Sequence, residues 1–158
     1  MKTSAPHISE PRIVRSPRKA GPRRPDIEYA SAEETQALLT GSLAARNARL
    51  SADDMVSTDE AAALAGTTRV TVNTWIGKGR CIGLTQTKRG LRVPKWQFEP
   101  GFWPIVPKLS RALGTTDGWA LLAFLETPHG ALAGATPRSA IEQGRAQSVL
   151  DIAGYEGN

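Results

Sequence analysis

The chain has 158 residues, room for one ordinary domain or two very small ones with tails. An apolar content of 40% suffices for a core, and a formal charge of +5 with an isoelectric point near 9.8 favours polyanionic partners. Cys81 is the only cysteine, which excludes an intramolecular disulfide, and with only His7 and His129 beside it a protein-built zinc site lacks soft ligands.

No apolar run approaches the roughly 18 residues of a membrane span, and Pro and Arg interrupt the start of the chain where a signal peptide would be apolar. The expected location is therefore cytoplasmic, with no membrane partner. Residues 1–26 read as a disordered basic arm: five prolines alternate with Lys2, Arg12, Arg15, Arg18, Lys19, Arg23 and Arg24, and there is little to bury. Such an arm can follow phosphates or remain a solvated tail.

Residues 27–54 form an N-terminal helical segment. A helix is expected over 31–50, because Ser31 and Glu34 have capping-box spacing and Leu38, Leu39, Leu43 and Leu50 trace a stripe. Gly41 predicts a weak point in its middle. The acidic start, with Glu28, Glu33 and Glu34, suits a bundling or dimerising helix better than a DNA-contacting one, so a homodimer is expected.

Residues 55–100 read as a helix-turn-helix with a hairpin. Thr58 is expected to cap a short helix over 59–65, with Asp59 and Glu60 favoured at its start, and Gly66 supplies the turn. A second helix is expected over 68–77. Strand-like runs at 81–87 and 91–96, joined by Lys88-Arg89-Gly90, predict a hairpin.

In the last segment, 101–158, Pro100, Pro104 and Pro107 lead into a helix over 105–113 that Gly114 stops. A strongly apolar helix follows over 119–125, capped by Asp117 or Thr116 and ended by Thr127-Pro128. A Gly-rich loop runs through Gly134. Thr136-Pro137 then starts a short helix that Gly144 closes, and a last helix covers 146–153. The five residues after it offer little reason to order, although Tyr155 would make a good anchor in a partner's pocket.

Small residues at Ala62 and Ala65 allow two helices to cross closely, and Gly66 permits the left-handed turn between them. Val72 and Trp75, three apart, supply the contact that pins the second helix. The face left outward is Thr68, Arg69, Val70, Asn73 and Thr74. Arginine can read guanine, asparagine can read adenine, and the Val and Thr methyl groups can touch thymine. From Thr67 to Phe98 the chain carries Arg69, Lys78, Arg80, Lys88, Arg89, Arg92 and Lys95 and no acid. That one-signed block reads as phosphate-facing, with the Lys88-Arg89 turn as a small wing.

Two stretches carry a family resemblance. One is Arg92-Val-Pro-Lys-Trp-Gln-Phe98. The other runs from Trp119 through Pro128, Leu132-Ala-Gly-Ala-Thr-Pro137 and Gly144. In this order they resemble the antitoxins grouped by their Xre/MbcA/ParS toxin-binding domain, over about two-thirds of the chain, from Met55 onward. The hairpin itself is closer to excisionase or MerR-type modules. The resemblance implies a type II antitoxin that covers a cognate toxin, often one with a RES domain that destroys NAD, and that binds the operator of its own operon. The polar residues toward the end, Arg138, Glu142, Arg145, Gln147, Asp151 and Tyr155, are the partner-binding candidates.

Catalysis is not expected. His7 lies in the arm, His129 sits in a Pro-His-Gly loop, the acid pairs fall at helix starts, and no phosphate-cradling Gly-rich loop precedes a helix. No cofactor is expected either. The fold class is mainly α, a helix-turn-helix unit with a small β-hairpin followed by a helical toxin-binding segment. The alternatives are a stand-alone transcriptional or prophage regulator, and an adaptor whose basic surface serves solubility.

Overall fold

The computed structural model describes residues 31–86 and 89–158, without the side chains of Gln86 and Arg89. The basic arm expected over 1–26 lies outside the described residues. The chain divides into two compact units, Met1–Leu38 and Leu39–Asn158. In the first, Ser31 Oγ accepts from the Glu34 N–H at 3.2 Å and the Glu34 carboxylate accepts from the Ser31 N–H at 2.8 Å, the capping box its spacing predicts. Helix α1 spans Ala32–Leu50, and Gly41 does not interrupt it. One glycine costs a helix only about 1 kcal/mol relative to alanine, too little to break the run.

The second unit is mainly helical with one three-stranded antiparallel sheet. After α1 come β1 (Met55–Ser57), α2 (Thr58–Ala65), α3 (Arg69–Gly77), β2 (Leu84–Gln86) and β3 (Arg89–Pro94). A 3₁₀ turn over Lys95–Phe98 leads to α4 (Ile105–Leu113), α5 (Gly118–Glu126), α6 (Pro137–Glu142) and α7 (Ala146–Glu156). The sheet order is β1-β3-β2.

Several expectations shift by a residue or more. The cap of α2 is Ser57, not Thr58: Ser57 and Glu60 exchange the reciprocal capping hydrogen bonds at 3.2 and 3.1 Å, and Thr58 is the buried first residue. Strand β1 is only three residues long, too short for an alternation to register in sequence. The run 81–87 pairs only over Leu84–Gln86, and the second strand stops at Pro94, so Lys95 and Trp96 belong to the 3₁₀ turn. Asp117, rather than Thr116, caps α5. The terminal helix continues to Glu156, whose carboxylate lies 3.0 Å from His129 Nε2. The expected loose end after residue 153 is therefore mostly helix.

The sheet separates two cores. Val56 and Val93 pair across β1 and β3, and both join Ala61, Ala62, Val72 and Cys81 in the cluster under α2 and α3. Met55 is in register with Pro94, and Ser57 and Leu84 are in register with Arg92, which places these residues on the opposite face. That face belongs to the larger core, where Met55, Leu84, Ile82 and Trp96 meet Leu50, Val106, Leu109, Leu121, Leu125, Ile141 and Val149. The segments expected on either side of residue 100 thus share a core.

Gln97 stands where the two cores meet. Its side chain is 0% exposed; Oε1 accepts from the Ile82 N–H at 2.7 Å, and Nε2 donates to the carbonyls of Ile82 at 2.9 Å and Pro94 at 3.1 Å. The amide acts as a one-residue strand partner for Ile82, and so satisfies the backbone just before β2. Gln97→Leu keeps the volume and removes those three buried hydrogen bonds. It should lower stability by about 2–4 kcal/mol, measured as a shift of the urea midpoint.

Candidate nucleic-acid interface

Helices α2 and α3 are joined through Gly66, which holds φ of +66° as the expected left-handed turn residue. Thr68 caps α3 by accepting from the Thr71 N–H at 3.3 Å. The small residues of α2 that pack inward are Ala61 and Ala62; Ala65 is half-buried. Val72 is 0% exposed and Trp75 is half-buried.

Trp75 does not rely on α2 alone. It meets Trp103 edge-on, with ring centroids 5.1 Å apart, and Trp103 stacks on Phe98 at 5.3 Å. This aromatic row runs from α3 to the segment before α4 and fixes the rotation of α3 about its axis. Trp103 is a supporting residue that sequence reasoning missed. Its signal was Phe102-Trp103, a pair of rings in a loop of a chain with few aromatics.

With that side held, Thr68, Arg69, Val70, Asn73 and Thr74 are all exposed, and Val70 is 74% exposed. Arg69 lies 3.9 Å from Asp59, both well exposed, which is too weak a pairing to fix it. The Thr74 hydroxyl donates to the Val70 carbonyl at 3.0 Å and presents its methyl group. Lys78 and Arg80 are exposed at the end of α3. Arg92 departs from the rest: it is half-buried, in register with Ser57 and Leu84, on the sheet face opposite Val93 and hence opposite the α3 side. Lys88 and the Arg89 side chain lie outside the described residues.

The second group of candidates is spread over α6 and α7. Glu142, Arg145, Gln147, Asp151 and Tyr155 are exposed, Tyr155 at 87%. Gln147 Nε2 donates to Asp151 at 2.9 Å, and Arg145 donates to Gln143 at 2.8 Å. An open groove of about 440 Å³ runs along α5, lined by Leu113, Ala120, Ala123, Phe124, Pro128 and His129 among others. His129 is more than a turn residue: Nδ1 accepts from the Ala131 N–H at 3.1 Å, which leaves Nε2 to face Glu156.

Arg138 also has contacts within the chain. Its guanidinium lies 4.4 Å over the Trp96 ring and 3.9 Å from Asp54, and its buried Nε sits 3.4 Å from Glu142 at an angle that makes no hydrogen bond. Asp54 is the hub. It accepts from Arg49 Nη1 and Nη2, each at 2.7 Å, and from Trp96 Nε1 at 2.9 Å, while Arg49 Nε also donates to Glu126 at 2.9 Å. These bonds tie the end of α1, the start of β1, the 3₁₀ turn and α5.

Hydrogen bonding from Arg49 holds the Asp54 carboxyl below its ordinary value, against the opposing effect of burial. The same bond, with Glu126 adding to it, keeps Arg49 charged. Burial pushes the Cys81 thiol up to about 12, which removes it as a nucleophile at neutral pH. Among the described residues no cluster of His, Cys, Asp and Glu could hold a metal ion, and no helix is long and apolar enough to cross a membrane. Comparison with family models, with curated proteins and with solved structures finds no match.

A carboxyl held low in the folded state stabilises fully above its unfolded value, near 3.9, and that contribution is lost as pH falls through the folded value. Asp54→Asn should therefore cost about 2 kcal/mol at neutral pH, between exposed and buried ion pairs, and should flatten the loss of melting temperature below about pH 4.

Proposed function

We propose that the chain is a DNA-binding antitoxin. In this reading α2, the Gly66 turn and α3 form a helix-turn-helix, the β2–β3 hairpin forms a small wing, and α5–α7 dock a cognate toxin. One observation carries the DNA-binding part. Val72 and Trp75 hold α3 from one side, and the opposite side offers Arg69, Val70, Asn73 and Thr74 to solvent. Val70 lies in that row and is 74% exposed. A thymine methyl group would cover it, with Arg69 and Asn73 on neighbouring base edges and Lys78 and Arg80 on phosphates.

The partner half rests on the resemblance of Trp119–Gly144 to toxin-binding segments, supported by the exposed polar row from Glu142 to Tyr155 and the apolar groove along α5. A homodimer belongs to the same reading, supported by Leu39 and Leu43, which stay more than half exposed on α1. The alternative, a stand-alone regulator, is favoured by a different fact. Helices α4–α7 share a core with the sheet, so they have a structural reason to exist without a toxin.

Gel shifts on DNA upstream of the chain's own gene test the first half. Asn73→Ala and Arg69→Ala should each weaken specific binding by about 1–3 kcal/mol, roughly 5- to 150-fold, and relax preference at one base position. Unchanged discrimination in both variants would remove α3 from base reading. Co-expression with the neighbouring gene tests the second half: a stable complex and relief of toxicity are expected, and their absence leaves the stand-alone regulator.

A further inference from the structure

Lys108 and Arg111 lie on α4, outside the helices and hairpin assigned to DNA above. Their placement follows from the turn that ends α3. Gly79, between Lys78 and Arg80, has φ of +72°, and a Cβ there would collide with Ser110 Oγ and press on Thr116. Four residues later the Gly83 carbonyl approaches Gly118 so closely that no side chain fits at the start of α5. Ser110 Oγ also donates to the Thr115 carbonyl at 2.6 Å, which braces that corner. Near the other end of α4, Trp103 meets Trp75. The last turn of α3 and the turn after it thus touch the loop that enters α4 and the last turn of α4.

Four exposed cations gather along this junction, with the acids Glu99 and Asp117 at its two edges. Lys78 and Arg80 are exposed on the turn; Lys108 and Arg111, three apart, are exposed on the side of α4 away from Val106 and Leu109. Arg111 Nε reaches back only to the Pro107 carbonyl, at 3.5 Å. Residues 67–98 contain no acid, Glu99 is exposed between the 3₁₀ turn and Trp103, and residues 100–116 again contain none. Asp117, the next acid, accepts from the Trp119 N–H as the cap of α5. Clustered Lys and Arg on neighbouring elements are the electrostatic footprint of a phosphate-facing surface.

We infer that the nucleic-acid surface continues from α3 over the Lys78–Arg80 turn onto α4, where Lys108 and Arg111 bind the phosphodiester backbone of duplex DNA beside the groove that α3 enters. The inference rests on the DNA-binding reading above. A helix in the major groove leaves phosphates within reach of flanking elements, and such contacts set register without reading sequence. The glycine contacts at residues 79 and 118 supply the rigidity this needs.

The test uses the full chain and a labelled random-sequence duplex of about 30 base pairs, with anisotropy titrations between about 50 and 200 mM salt. Each lost phosphate contact lowers the slope of log K against log salt by about 0.9, so Lys108→Gln/Arg111→Gln should lower it by up to about 2. Lys108→Arg/Arg111→Lys should restore it. Arg46→Gln, which removes an exposed cation on α1, should leave it unchanged.

A wild-type slope in the double Gln variant, with Lys78→Gln/Arg80→Gln still reducing it, overturns the α4 extension and leaves the DNA reading intact. An equal drop in Arg46→Gln also overturns the extension, because net charge would then explain the effect. No binding by the wild-type chain overturns both readings.

Discussion

Gln97 Oε1 takes the N–H of Ile82 and its Nε2 bonds the carbonyls of Ile82 and Pro94, and the arrangement of the second unit depends on that exchange. Between α3 and β2 the chain must change direction while buried, where an unpaired backbone group costs about 1–3 kcal/mol. Among the described residues no strand pairs with Ile82. A fully buried amide does so instead and fastens the 3₁₀ turn to the start of β2, so that the sheet can present Val56 and Val93 to one core and Met55 and Leu84 to the other.

The residues on either side of Gln97 extend the same junction in two directions. Trp96 packs edge-on against Phe102 at 5.0 Å and donates to Asp54, which links the larger core to the Arg49–Glu126 cluster. Phe98 stacks on Trp103, which in turn supports Trp75 on α3. A short stretch of sequence therefore sets both how the helices after residue 100 pack and how α3 is rotated. The outward direction of Arg69 and Asn73 depends on a ring that comes from the loop before α4.

The helices after residue 100 are for this reason a scaffold for the candidate interface as well as a surface of their own. Arg138 illustrates the difference between the two roles. As a long polar side chain on a short helix it suits partner binding, yet its guanidinium lies over Trp96 and beside Asp54. The exposed row beyond it, from Glu142 to Tyr155, carries no such tertiary duty.

What the sequence determined by itself was local. The Ser31–Glu34 spacing, the Gly66 turn, the Thr136-Pro137 start and the apolar run of α5 each specify structure through neighbours a few residues apart, and each formed where expected. The burial of Val72 and the exposure of Arg69 and Asn73 followed from helical periodicity in the same way. Tertiary structure decided what depends on residues distant in the chain. Strand β1 exists because β3 offers it a partner, Gln97 is buried because Ile82 needs one, Arg138 packs over Trp96, and the sheet register puts Arg92 on the face opposite the α3 side. Contacts of that kind leave no periodic trace, since their energy comes from groups that meet only after the chain has folded.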